Sequence, residues 1–242
     1  MKKLFVVIFI LLAMASWAGA DIYVKSKAHT DAISMMGQNR PAQDTFSEQW
    51  IGDDQFANVT ENMTTIIDLK KNIFYMINHK DKTYVETTLP LDMSKLLPPE
   101  MSAMAGMMKA SITVTPAGQT KTIGQWNCSE YDVTMTMMMM PVKMKVWATT
   151  DVPFDFGKYM LKMYGNVLKA QMQLDDNAVQ EAMKVKGFWI ASDTTMEMMG
   201  QKMHTTTEVV EISKKGAPAG AYLVPTGYTK QDKLSMKQLQ QK

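Results

Sequence analysis

Between Thr64 and Thr87 three short apolar runs are separated by two tight, charged turns. Thr64–Leu69 is rich in β-branched residues and stops at a polar string ending in Asn72, a residue that tolerates the left-handed conformation of a hairpin turn. Ile73–Ile77 puts Ile73, Tyr75 and Ile77 on one face and Phe74 and Met76 on the other. Thr83–Thr88 ends before Pro90, which cannot continue a ladder. The pattern predicts a three-strand antiparallel meander. Apolar residues on both faces of its middle strand predict cover on both sides.

The same alternation extends in both directions. Ile22–Lys27 reads as a strand, Met35–Pro41 as a loop or strand edge, and Thr45–Ile51 as a strand turning at Gly52-Asp53-Asp54 into Gln55–Val59. Pro98-Pro99-Glu100 opens a helix, with Met101, Met104, Met107 and Met108 on one face. Strands resume at Ser111–Thr115, turn over Pro116–Gln119, and continue through Thr120–Ile123. From Trp126, Tyr131, Val133, Met135 and Met137 alternate with polar residues. Beyond Pro141 the parity shifts to Val142, Met144 and Val146, which predicts a turn or bulge near Met139–Pro141. Asp155 caps a helix running to about Leu174, with Tyr159, Met160, Met163, Tyr164, Val167 and Leu168 as its apolar stripe. A second helix follows, with Asn177 and Gln180 spaced as a capping box. Phe188–Ser192, Thr194–Met199 and Met203–Ile212 read as strands and Tyr222–Val224 as a last short strand or extended segment. From Thr229 the chain is polar, expected as a frayed tail or short exposed helix.

The first twenty residues read as a processing segment. Lys2 and Lys3 precede an apolar run, and Ala18-Gly19-Ala20 is a small-residue exit before Asp21, as in a secretory signal peptide. The expected organisation is a signal peptide over 1–20, one domain over 21–228 and a polar tail over 229–242. The formal charge of +2 comes from 26 basic and 24 acidic residues. Without Lys2 and Lys3 it is 24 against 24, so neither nucleic acid nor a strongly anionic surface is expected as partner. No later stretch is apolar for long enough to predict a transmembrane segment. Arg40 is the one arginine, so bidentate anion clamps are scarce. Cys128 is alone, expected as a small buried hydrophobe, with an intermolecular bridge as the alternative.

Several motifs resemble a known plan. They are Trp50-Ile51-Gly52-Asp53-Asp54, the meander with Tyr75-Met76-Ile77-Asn78-His79 and Lys82-Thr83-Tyr84, and Ile123-Gly124 with Cys128 and Tyr131. Val146–Asp151 and Val224-Pro225-Thr226-Gly227-Tyr228 complete the set. The chain resembles a domain-of-unknown-function family of Met-rich exported bacterial proteins and, more distantly, is similar to the LolA/LolB-like superfamily of periplasmic lipoprotein carriers. That resemblance implies an α+β fold: a curved antiparallel β-sheet, an unclosed half-barrel, with helices packed on the concave side over an apolar cavity. It implies a periplasmic or secreted protein. Carrier members use an arginine in the cavity; Arg40 is the candidate by residue type, and no motif surrounds it.

The chemistry-bearing residues do not assemble into a catalytic motif, so no enzyme and no cofactor are expected. His29, His79 and His204 lack zinc spacing, and His79 is expected as an exposed turn residue. Three binding roles remain. A cavity lined by Tyr75, Ile77, Tyr131, Val133, Met135, Met144 and Val146 would suit a hydrophobic or lipid-like ligand. Met196, Met198, Met203 and His204, brought together across a hairpin, could hold a soft metal such as Cu(I) or Ag(I). The Met137, Met138, Met139 and Met140 tip could dock on an envelope protein partner or a membrane.

Overall fold

The computed structural model describes residues 21–35, 38–102, 110–137, 140–172, 174–198 and 200–235. The chain opens with β1 (Ile22–Thr30), then a small hairpin of β2 (Ile33–Met35) and β3 (Gln38–Arg40). A first meander follows: β4 (Gln43–Ile51), β5 (Gln55–Thr60), β6 (Met63–Asp68), β7 (Ile73–Asn78) and β8 (Thr83–Thr88). Its turns are made as the sequence requires, with Asn72 at φ 59° and Lys82 at φ 51°. Two short helices, α1 (Met93–Leu96) and α2 (Pro99–Ser102), lead away from it. Residues 103–109, with Met104, Met107 and Met108 of the expected stripe, lie outside the described residues.

A second meander begins with β9 (Ser111–Ile123), β10 (Trp126–Met137) and β11 (Met140–Thr149). It is interrupted by α3 (Phe156–Tyr159), a π-type turn over Met160–Tyr164, α4 (Gly165–Met172) and α5 (Asp176–Ala182). It is completed by β12 (Phe188–Met198) and β13 (Gln201–Lys214). Finally β14 (Thr229–Gln231) pairs in parallel with β8.

Among the described residues twelve of these strands form one sheet, ordered β14-β8-β7-β6-β5-β4-β1-β13-β12-β11-β10-β9. The first strand of the chain joins the two meanders, because β1 pairs antiparallel with both β4 and β13. The sheet is unclosed, yet Val85 near one end and Val114 near the other belong to one continuous core with the helices. Helix residues Tyr159, Met163, Val167 and Leu168 pack into that core. The opposite face carries a second, smaller core of Tyr23, Trp50, Ala57, Ile66 and Ile77. It is covered by a strap from the C-terminal segment, which contributes Ala217, Ala221, Tyr222, Val224 and Tyr228. Alternation along the strands produces this division: Val24 faces the helices and its neighbour Tyr23 faces the strap.

Several sequence expectations change here. Pro116 does not end a strand; β9 runs through it, because an edge strand needs its N–H groups on one side only. The register shift between Ser129 and Tyr131 takes up the irregularity. Phe188–Met198 is one strand and not two. The second helix is capped by Asp175, whose carboxylate accepts from the Ala178 N–H at 2.9 Å, and not by a box at Asn177 and Gln180. Tyr222–Val224 is not a strand. Residues 229–235 are tied down: β14 extends the sheet, Leu234 donates its N–H to the Leu96 carbonyl at 2.7 Å, and its side chain is buried in the main core, while the rest of the expected tail lies outside the described residues.

Candidate functional site

The strand residues expected to line a cavity divide between the two faces. Tyr131, Val133 and Met135 on β10 stand beside Val146, Met144 and Val142 on β11 and face the helices. Val133 and Val146 are 1% and 0% exposed, so this patch is sealed core. Tyr131 has a tying role, its Oη accepting from the Lys186 N–H at 3.2 Å. Tyr75 and Ile77 face the other way, under the strap.

The open space lies elsewhere on the helix face, around Tyr159. The Asp155 carboxylate caps α3 by accepting from the Lys158 N–H at 2.9 Å. The π-type turn that follows bonds i to i+5, which brings residues five apart onto one side. Tyr159 and Tyr164 are such a pair, with ring centroids 5.6 Å apart, and both are buried. Phe154 and Phe188 meet Tyr159 at 5.9 and 6.1 Å, completing an aromatic cluster. Burial pushes the phenols of Tyr159 and Tyr164 well above the ordinary tyrosine range.

On one side of Tyr159 is an open cleft of about 910 Å³ at the end of the sheet where β1 begins. Ile22, Ile51, Phe154, Tyr159 and Met163 give it apolar surface, and its remaining lining is largely charged. Lys158 Nζ pairs with Asp53 at 2.7 Å and Lys162 Nζ with Asp54 at 3.8 Å. The Lys158 ammonium holds the Asp53 carboxyl below its usual range. Asp68 is 2% exposed. Burial pushes its carboxyl up, but the Lys71 N–H at 2.8 Å, the Gln55 amide at 2.9 Å and the Lys71 ammonium outweigh that and hold it low.

Tyr159 also lines a second, partly open cavity of about 190 Å³ between the helices and the sheet. Its apolar lining includes Val24, Tyr164, Val167, Leu168, Phe188 and Val209. Ser26, Gln49, Ser192 and Thr207 line it from the sheet, and none of its lining residues is charged. Sequence reasoning missed this cavity. The available signal was small hydroxyl residues at Ser26, Ser192 and Thr207, where the parity of Val24, Ile190 and Val209 calls for large apolar ones.

The other candidate residues are dispersed. Met196 lies directly opposite Met203 across the β12–β13 hairpin, while His204 pairs with Thr195 on the opposite face of the sheet. Both ring nitrogens of His204 are engaged, Nδ1 with Asp31 at 2.9 Å and Nε2 with Asp193 at 3.0 Å. Hydrogen bonds to Asp31 and Asp193 raise its pKa. No group of three or more His, Cys, Asp or Glu suited to a metal occurs among the described residues. Met137 pairs with Met140, which is half-buried; Met138 and Met139 lie outside the described residues, as does the Met198 side chain. Arg40 is exposed at the end of β3, away from both voids. Cys128 is buried, its Sγ 3.6 Å from the Trp126 carbonyl, and burial pushes the thiol up. His79 is half-buried and not exposed: its Nε2 lies 2.7 Å from Thr64 Oγ1 and its Nδ1 3.0 Å from Tyr228 Oη. No helix among the described residues is long and apolar enough to cross a membrane.

The model of a domain of unknown function, DUF4412, matches residues 43–228, more than half of the chain. The chain belongs to the DUF4412 family. The match runs from the start of β4 to Tyr228 at the end of the strap, so it takes in both meanders, the helices and most of both cores. Within this DUF4412 chain, β1 and β14 lie outside the matched span. A comparison with curated proteins gives no match. Among solved structures, a LolA superfamily protein from Nitrosomonas europaea is similar at 7% identity and a TM-score of 0.31, over 84% of this chain and 89% of that one.

Proposed function

We propose that this chain is an exported, non-enzymatic binding protein of the cell envelope, freed of residues 1–20, that holds a lipid-like or other hydrophobic ligand. Residues 21–228 act as one half-barrel body, and β14 clamps its edge. The helices lie on the concave side, a reading supported by the single core that they share with both ends of the sheet.

The observation that carries the reading is the pairing of an uncharged cavity with a wider cleft, both lined by Tyr159. Apolar walls with a few polar groups are what ligand sites offer, and burial of apolar surface supplies the affinity. A ligand enters over the apolar surface of the cleft and places part of itself behind the aromatic cluster. The charged rim keeps the mouth wet and the ligand oriented. The test is to extract the purified protein with organic solvent, look for co-purified lipid by mass spectrometry, and measure uptake of an uncharged fluorescent lipid. Bound lipid or saturable uptake supports carriage; a clean extract with no uptake rejects it.

A second reading has one observation in its favour, the Met196–Met203 pair facing each other on one side of the hairpin. Two thioethers suit Cu(I) or Ag(I). Titration of Cu(I) against a competing chelator decides it, and no competition at micromolar metal ends the idea.

A further inference from the structure

We infer that the open cleft holds the anionic head group of an amphiphilic ligand at one end, by the Lys214 ammonium and the α-ammonium that removal of residues 1–20 leaves on Asp21. The inference rests on the reading above and narrows its ligand to acyl chains with a negatively charged head. Asp21, Ile22, Ile51 and Lys214 all line the cleft. Ile22 pairs with Lys214 on one side and Ile51 on the other. Directly paired residues share a face of the sheet, so a cation adjoins two apolar side chains there.

Most of the charge in the cleft is already matched. Lys158 pairs with Asp53, Lys162 with Asp54 and Lys71 with Asp68. The Asp155 carboxylate accepts from the Lys158 N–H, and that of Asp21 from the Ala217 N–H at 3.1 Å. Lys70 and Lys214 line the cleft without an acidic partner among the described residues. Lys70 follows β6 and lies four strand spacings from β13, roughly 19 Å at about 4.8 Å per strand, so one head group does not meet both. Around Lys70 the lining is polar, with Gln55, Asp68 and Lys71. Only the Lys214 end sets an unmatched cation beside apolar surface, which is what an amphiphile requires. Asp21 is fixed at that end, its carbonyl accepting from the Lys215 N–H at 3.0 Å. Cleavage before Asp21 turns an amide into an amine, mostly protonated at pH 7, so two cations and one carboxylate share this end. Ammonium groups are compact point charges and not planar forks, so the head is selected by charge more than by shape. Phosphate and carboxylate heads both qualify.

The test uses the exported protein, whose intact mass is expected to begin at Asp21; a retained leader overturns the role given to the α-ammonium. Calorimetric titration at pH 7 and low salt compares decyl phosphate, decanoate, decanol and decyltrimethylammonium, each below its micelle-forming concentration. Decyl phosphate is expected to bind roughly tenfold more tightly than decanol, with decanoate between them and the cation weakest. About 0.5 M salt should reduce that advantage to about twofold. Lys214→Gln is expected to cut the advantage by about threefold, with decanol binding unchanged. A chain that keeps Ala18-Gly19-Ala20 ahead of Asp21 moves the α-ammonium away and should lose a similar factor. Lys121→Gln, the same charge change on β9 outside the cleft, should leave the order and its size as they are. A larger loss in Lys70→Gln than in Lys214→Gln overturns the placement. Decanol or the cation binding as tightly as decyl phosphate overturns the inference and leaves the hydrophobic-ligand reading intact. If none of the four binds, that reading falls and the inference with it.

Discussion

The imidazole of His79 joins Tyr228 through Nδ1 at 3.0 Å, locking the end of the strap onto the turn between β7 and β8. The rings also meet edge to face at 5.8 Å, and Thr64 holds the other nitrogen at 2.7 Å. Tyr228→Phe removes the hydroxyl and leaves one imidazole nitrogen without its partner. The expected cost is about 1–2 kcal/mol, measured by urea unfolding. Proteolysis of the native protein should at the same time become faster between residues 216 and 228, because the strap loses one of its ties while the sheet, β14 included, keeps its pairing.

Two histidines give the pH dependence opposite signs. Burial lowers the pKa of His79 from its ordinary 6.5, so the unfolded chain binds the proton more readily than the folded one. The contribution of His79 is present above pH 6.5 and is lost as pH falls through its lowered folded value. Asp31 and Asp193 raise the pKa of His204, so its contribution is full below 6.5 and lost as pH rises through the raised value. His204 is a third exposed, and solvent screening keeps its share small. Replacing His79 with Gln should therefore flatten the acid side of the stability–pH curve, and replacing His204 with Gln the neutral-to-alkaline side. Denaturant midpoints from pH 5 to 9 check both; the two variants changing the same limb would contradict the assignment.

Gly187 is a position where no side chain fits. Its φ is +120°, and a Cβ there would lie 2.5 Å from the backbone carbon and oxygen of Thr149. The obstacle is backbone from β11, where the chain leaving α5 crosses to start β12, so no rotamer change relieves it. Gly187→Ala should cost about 3 kcal/mol or more, read by thermal unfolding. Gly118→Ala is the control: it too has a positive φ, +73°, but nothing lies within 4 Å, and about 1 kcal/mol is expected.

What was legible in the sequence was local. Alternation and turn residues placed β6, β7 and β8 within a residue of where they lie, and Asp155 marked the start of α3 correctly. Features set by distant partners were not legible. His79 is half-buried because Tyr228, 149 residues later, folds over it. Pro116 stays in a strand because β9 is the free edge, which no local pattern reveals. Tyr75 and Val133 carry the same kind of alternating signal, yet the strap covers one and the helices the other. The voids depend on how far α3 and α4 sit from the sheet. Period-two patterning tells which way a residue points but not what fills the space in front of it.

Tyr159 lines both the cleft and the cavity, and its ring packs on Phe154, Phe156, Tyr164 and Phe188. Removing that ring should join the two voids. Tyr159→Ala is expected to cost about 3–5 kcal/mol, the usual penalty for deleting a buried aromatic. If the ring is also a partition, the same change should speed both association and release of an uncharged fluorescent lipid, measured by stopped flow. A purely structural role predicts the stability loss without faster exchange. Tyr159→Phe separates the two effects, because it keeps the ring and removes only the hydroxyl. Exchange rates in that variant should match the wild type, and rates raised to the level of Tyr159→Ala would show that the hydroxyl, and not the ring, closes the passage.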